Sequence, residues 1–126
     1  MQRAWKSFGH ALDGLSHAIA SECNLQRFLV CYSIVLLLAG RLNLTAAEWA
    51  SLILAGGLFC CIELFNTALE RFVDAFDEHR KSTVGDSFHL GLKATKDIAS
   101  AASLVSLLVV IMTVAIILGP KVWKSG

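Results

Sequence analysis

The chain has 126 residues, enough for one domain, and 56% of them are hydrophobic while 17% are charged, below the roughly 25% of an ordinary globular protein. A soluble domain of this size has too much surface for its volume to cover that much apolar side chain, and mean hydropathy is +0.63, so the composition points to a membrane protein. The net charge of +1 leaves no field for a polyanion, so no nucleic acid is expected as a partner, and a disordered tail or secreted scaffold is also excluded.

Residues 3–22 carry the pattern of an amphipathic helix. Trp5, Phe8, Leu12, Leu15 and Ile19 recur at steps of three and four, while Arg3, Lys6, His10, Asp13 and His17 follow the same rhythm on another face. Three residues beyond Ile19 the apolar series lands on Glu22. A carboxylate at the end of a buried stripe is costly unless it is paired or bound to a cation. This helix is expected in the membrane interface or docked on a transmembrane bundle. The first 27 residues carry too many charges and no continuous apolar core for a cleavable signal peptide.

Residues 28–40 are free of charge but number thirteen. Snorkelling Arg27 and Arg41, with the neutral residues from Leu42 to Ala47, extend them to a first span, placed at 28–47. A second helix, placed at 48–77, begins as the apolar run WASLILAGGLFCCI and continues through Glu63 with its helical period intact. Glu63, Asn66, Thr67, Glu70, Asp74 and Asp77 share one side of it. Residues 98–120 are twenty-three consecutive residues without a charge, the strongest span signal in the chain. That helix is placed at 97–119, with Lys96 and Asp97 at its opening, a small-residue run from Ala99 to Ser106 suited to close packing, and Pro120 helping to end it. The fold class expected is therefore an all-α membrane protein with three transmembrane helices and an interfacial N-terminal helix.

Eight of the eleven Lys and Arg residues lie in 1–27 or 71–97, which puts the N-terminus and the 71–97 loop on the cytoplasmic side. Cys23, Cys31, Cys60 and Cys61 sit in or beside apolar stretches, with no zinc-ligand spacing, and read as packed thiols rather than a disulfide framework.

The chemistry-bearing groups gather near the cytoplasmic membrane face. Glu63 and Glu70 lie two helical turns apart, roughly 10 Å along one face, with Asn66 between them. Lys96 and Asp97 stand at a similar depth, and Glu22 arrives from the first helix. Carboxylates inside a membrane segment are costly and mark functional sites, and three of them with an Asn suit a hard divalent cation such as Mg²⁺. Other readings stay open at this point. Glu63 can pair with Lys96 or Arg71 inside a bundle, Glu70 can be solvated at the interface, and Lys96 serves equally as an interface anchor or a phosphate ligand. Walker, dinucleotide, protein-kinase and GxSxG signatures are absent. The residues alone do not name a reaction.

Three segments do resemble a known family. Glu63-Leu-Phe-Asn66-Thr67-Ala68-Leu-Glu70, followed by Asp74, is similar to the ExxNTAxE motif of the small bacterial integral-membrane lipid kinases, the diacylglycerol kinase and undecaprenol kinase family. Lys96-Asp97-Ile-Ala99-Ser-Ala101-Ala102 resembles the family's Lys-Asp pair ahead of a small-residue run. Phe8, Ala11, Gly14, Leu15, Ala18, Glu22, Asn24 and Arg27 resemble its N-terminal pattern. The resemblance covers residues 3–118 and makes 1–126 a single domain of that kind.

It implies a homotrimer in the bacterial cytoplasmic membrane that transfers the γ-phosphate of MgATP to a lipid hydroxyl. By the same resemblance Glu63 is the general base, Glu22 and Glu70 hold Mg²⁺, and Asn66, His89, Lys96 and Asp97 contact the nucleotide. The segment from Asp74 to Asp97 is longer than the family's, with turn signals at Ser82 to Gly85. The glutamate usual two residues before the histidine is replaced by Ser87, beside Asp86. Lys93 and Arg80 are the candidates to compensate. Diacylglycerol and undecaprenol both remain open as acceptors, with Glu22-x-Asn24 leaning slightly to the undecaprenol branch. The alternative class is a non-catalytic membrane protein that conducts a cation or supports a larger complex. The co-occurrence of the glutamate motif and the Lys-Asp pair argues against it.

Overall fold

In the computed structural model, residues 2–84 and 90–125 are described. They form four helices: α1 (Gln2–Ser21), α2 (Cys23–Ala39), α3 (Ala46–Val84) and α4 (Leu90–Ser125), with no strand among the described residues. The chain divides into two compact units, Met1–Leu37 and Leu38–Gly126. The class is all-α, as expected from the helical periods.

In the first unit, α1 ends one residue before the sequence pattern does. Glu22 is the single residue at the break, and the helices on either side are bent by 92°. Two backbone bonds bracket the bend: Glu22 N donates to Ala18 O at 2.9 Å and Gln26 N to Glu22 O at 3.0 Å. The Gln26 side chain adds a cap, donating from Nε2 to Ile19 O at 2.8 Å and to Ala20 O at 3.1 Å. These are carbonyls of the last turn, which otherwise lack an intrahelical partner. Ala18 and Leu25, on either side of the bend, are buried. Trp5, Phe8, Leu12, Leu15 and Ile19 are all exposed along α1.

The first span was expected over 28–47, and its helix is displaced toward the N-terminus. The residues Cys23 to Arg27 are helical, whereas Leu42 to Ala47, recruited above as extra length, mostly form the turn into α3. Thr45 and Glu48 explain the shift. Glu48 Oε2 accepts from Thr45 N at 2.7 Å, and Thr45 Oγ1 accepts from Glu48 N at 3.3 Å. This reciprocal capping box starts a new helix at Ala46, so the preceding residues cannot continue the old one. At 17 residues α2 is about 25 Å long, short of the roughly 30 Å hydrocarbon core. α3 and α4 are each long and apolar enough to cross a membrane, and the bent α1–α2 pair is a third candidate.

Both long helices overrun their expected ends. α3 continues past Asp77 to Val84, and α4 begins at Leu90, so Lys96 and Asp97 stand almost two turns inside it. Most of the expected 71–97 loop is thus helix. Its charges support the extra turns: Asp77 takes Arg80 at 2.7 Å and Lys81 at 2.9 Å, the i+3 and i+4 partners of a helix surface. Pro120 does not end α4 but lies inside it. Proline removes one backbone donor, but the turn that follows is held to α3 and the residues before it through Lys121, which pairs with Glu48 and donates to Asn43 O.

α3 and α4 pack antiparallel. Lys96 meets Asp74 near one end, and at the other Lys121 meets Glu48 at 3.1 Å and donates to Asn43 O at 2.7 Å. Leu52, Phe59 and Val73 on α3 and Ala99 and Val110 on α4 are buried. Leu54, Phe65, Ile98, Leu104, Met112 and Ile116 are exposed. Large apolar side chains facing outward along two spans are what a lipid environment solvates, and the molecule is a membrane protein.

Candidate active site

The helical period of α3 brings Glu63, Asn66, Thr67, Glu70 and Asp74 to one side, and the antiparallel register of α4 supplies a partner to each acid. Lys96 Nζ donates to Asp74 Oδ1 at 2.8 Å. One turn further along α4, Ser100 Oγ donates to Glu70 Oε1 at 3.4 Å. Deeper in the seam, Ser103 Oγ donates to Glu63 Oε2.

Burial grades along this row. Glu63 is 4% exposed and Thr67 is also buried, Glu70 is half-buried, and Asp74 is exposed. A buried carboxylate without a donor costs several kcal/mol, and a hydroxyl on a charged acceptor recovers roughly 1.5–3 kcal/mol of that. Asn66 and Glu70 form a second pair, with Asn66 Nδ2 donating to Glu70 Oε1 at 3.2 Å across one helical turn. Asn66 Oδ1 is buried with no hydrogen-bond partner among the described residues. A buried amide oxygen left in that state is an acceptor waiting for a donor or a cation.

The sequence-derived site residues separate into groups. Glu63, Asn66, Glu70 and Lys96 line the α3–α4 seam. Asp97 does not join them: it is exposed, with Lys93 Nζ at 3.8 Å. Adjacent residues on a helix point about 100° apart, so Lys96 facing α3 turns Asp97 away from it. His89 lies outside the described residues. Glu22 belongs to the first unit, at the bend between α1 and α2, where Ser21 Oγ donates to its Oε1 at 3.3 Å. Among the described residues no group of three or more His, Cys, Asp or Glu side chains is arranged to hold a metal ion.

Two features were not recognised from the sequence. Lys96 takes Asp74 as its partner rather than Glu63. The Ala/Ser run of α4 is not packing alone, because Ser100 and Ser103 donate to the acids of α3. Their spacing of four and seven residues from Lys96 places all three on one face, and that was the available signal.

Fold and site together define an all-helical membrane protein whose acidic groups gather along the seam of two antiparallel spans. Residues 9–118 match the family model for prokaryotic diacylglycerol kinase. The chain is 33% identical over 107 residues to a diacylglycerol kinase of Helicobacter pylori, covering 85% of this chain and 77% of that protein. It is 34% identical over 114 residues to one of Synechocystis, covering 90% of this chain and 61% of that protein. An undecaprenol kinase of Bacillus subtilis is 34% identical over 103 residues, covering 81% of this chain and 76% of the relative. The chain belongs to the prokaryotic diacylglycerol kinase family and is a lipid kinase.

Proposed function

We propose that the protein transfers the γ-phosphate of ATP to the hydroxyl of a membrane lipid, diacylglycerol or undecaprenol. The observation that carries this is a buried carboxylate, Glu63, on a membrane-crossing helix, with the Asn66–Glu70 pair one to two turns away toward the exposed end. Glu63 accepts the proton of the lipid hydroxyl as its oxygen bonds to the γ-phosphorus. The bond from that phosphorus to the β,γ-bridging oxygen breaks, and its electron pair leaves with ADP. Phosphoryl transfer asks for positioning and charge neutralisation rather than protein covalent chemistry, which suits this set of groups.

Mg²⁺ fits the residues present. It is bound in such sites through one or two carboxylates together with phosphate oxygens and waters, so no cage of three acids is required. Glu70 and the unpartnered Oδ1 of Asn66 offer oxygen ligands on one turn, and Glu22 supplies the further carboxylate. When bound, the ion neutralises charge on the triphosphate. Lys96 is suited to the phosphates. Its pair with Asp74 is part-exposed at both ends, a setting in which ion pairs are worth about 0–1 kcal/mol, so exchanging Asp74 for phosphate costs little. Asp97 and His89 complete the nucleotide contacts in this proposal.

The protein acts as a homotrimer in the bacterial cytoplasmic membrane, with the Lys- and Arg-rich N-terminus and 71–97 segment in the cytoplasm. The exposed apolar row of α1 supports its lying in the interface.

The function is tested with purified protein in mixed micelles and labelled ATP, diacylglycerol and undecaprenol being offered in parallel. Label appears in one lipid or both, and the preferred acceptor names the substrate. No transfer to either overturns the proposal and favours a non-catalytic role. In the same assay Glu70→Ala and Glu22→Ala each raise the Mg²⁺ concentration needed for half-maximal rate by about tenfold or more. Unchanged Mg²⁺ titrations in both variants remove these residues from the metal site.

A further inference from the structure

Glu63 is the most deeply buried acid of the row, and its surroundings are specific. One of its oxygens, Oε2, takes the hydroxyl of Ser103 from the neighbouring helix. Its other oxygen, Oε1, has no hydrogen bond from the described residues. Ser103 is half-buried and lies seven residues from Lys96, on the face of α4 that meets α3. The next serine, Ser106, is more deeply buried but turns back to its own helix, donating to Ser103 O at 2.7 Å. Two serines one turn apart therefore have different roles, and one of them holds the acid.

We infer that Ser103 is a positioning residue for the phosphoryl transfer: its hydroxyl fixes Oε2 of Glu63 and so aims Oε1 at the lipid hydroxyl. This rests on the assignment of Glu63 as the general base. A glutamate has three side-chain torsions, and in a sparsely polar seam nothing else among the described residues orients this carboxylate. Donation to a charged acceptor is among the stronger hydrogen bonds, and the serine is supplied by a rigid helix rather than a loop. Free rotation of the acid removes the near-attack geometry without removing the acid. The effect belongs in the chemical step and not in nucleotide affinity, since Ser103 touches Glu63 and not the Asn66–Glu70 pair.

The test compares Ser103→Ala, Ser103→Cys, Ser103→Thr and Ser106→Ala in the micelle assay, with thermal stability measured on each. Ser103→Ala lowers kcat by roughly ten- to a hundredfold while KM for MgATP stays within about twofold. Ser103→Cys, similar in size but a weak donor, behaves like Ala and keeps the test valid if the alanine variant folds poorly. Ser103→Thr, which keeps the hydroxyl, recovers most of the rate, and Ser106→Ala stays close to wild type. The inference is overturned if Ser103→Cys or Ser103→Ala runs at wild-type kcat. It is also overturned if Thr fails as badly as Ala, if the loss appears in KM for MgATP, or if Ser106→Ala loses as much. Glu63→Gln is run beside them. An inactive Glu63→Gln with an unaffected Ser103→Ala sinks Ser103 alone, whereas an active Glu63→Gln removes the general base and this inference with it.

Discussion

Glu63→Gln lowers lipid phosphorylation by about a hundred- to ten-thousandfold, the range a positioned general base contributes. Gln keeps the size of the side chain and its Oε1, so the hydroxyl of Ser103 retains an acceptor and the α3–α4 seam retains its packing. The loss therefore falls on proton transfer, with helix content and assembly unchanged. Replacing a buried carboxylate by a neutral amide also removes a desolvation cost, so thermal stability is equal to or above that of the wild type. The measurement is initial rate with saturating MgATP and lipid, beside circular dichroism and a melting curve. A rate within a few-fold of wild type rules Glu63 out as the base. A rate loss matched by unfolding assigns Glu63 to structure instead.

The site was legible in the sequence where it depends on one helix, and opaque where it depends on two. The period of α3 put Glu63, Asn66 and Glu70 on one side without any knowledge of neighbours, and the Asn66–Glu70 contact follows from that spacing. The partners from α4 need the antiparallel register, which the sequence does not state. For that reason the sequence alone presents Ser100 and Ser103 as packing residues and does not pair Lys96 with Asp74.

Hydropathy misplaces helix ends where local chemistry overrides it. The Thr45-x-x-Glu48 box stands in the sequence and fixes the start of α3, so the neutral residues before it form a turn rather than membrane length. Likewise the charges between Asp77 and Lys81 looked like loop, although their i+3 and i+4 spacing is that of a solvated helix surface. Glu22 is the converse case. Its place at the end of the apolar stripe was evident, but the sharp turn made there by α1 and α2 depends on the Gln26 cap, which no periodicity reveals.

Activity restored by mixing two inactive chains is the largest effect expected from the proposed assembly. Within one chain α4 covers Glu63 and Thr67 but leaves Glu70 half-buried and Asp74 exposed; polar groups facing lipid are costly, so in the proposed trimer a neighbouring chain covers what α4 leaves open. The small residues from Ala99 to Ser103, beyond the second turn of α4, allow close approach of such neighbours. In a three-fold ring each interface is heterologous, so a site at it draws different residues from its two chains. If Glu22 of one subunit completes the site carrying Glu63 of the next, then at a Mg²⁺ concentration that saturates wild type but lies well below the raised requirement of Glu22→Ala, the Glu22→Ala and Glu63→Gln chains are each nearly inactive alone. After disaggregation and reassembly at equal ratio, about a quarter of the sites hold both intact residues and activity returns to about that fraction of wild type. The fraction follows the product of the two chain proportions, so it falls on either side of the equal mixture. Wild-type protein carried through the same treatment sets the full scale. Mixtures that remain inactive at every ratio, while wild type recovers, show that each site takes Glu22 and Glu63 from the same chain.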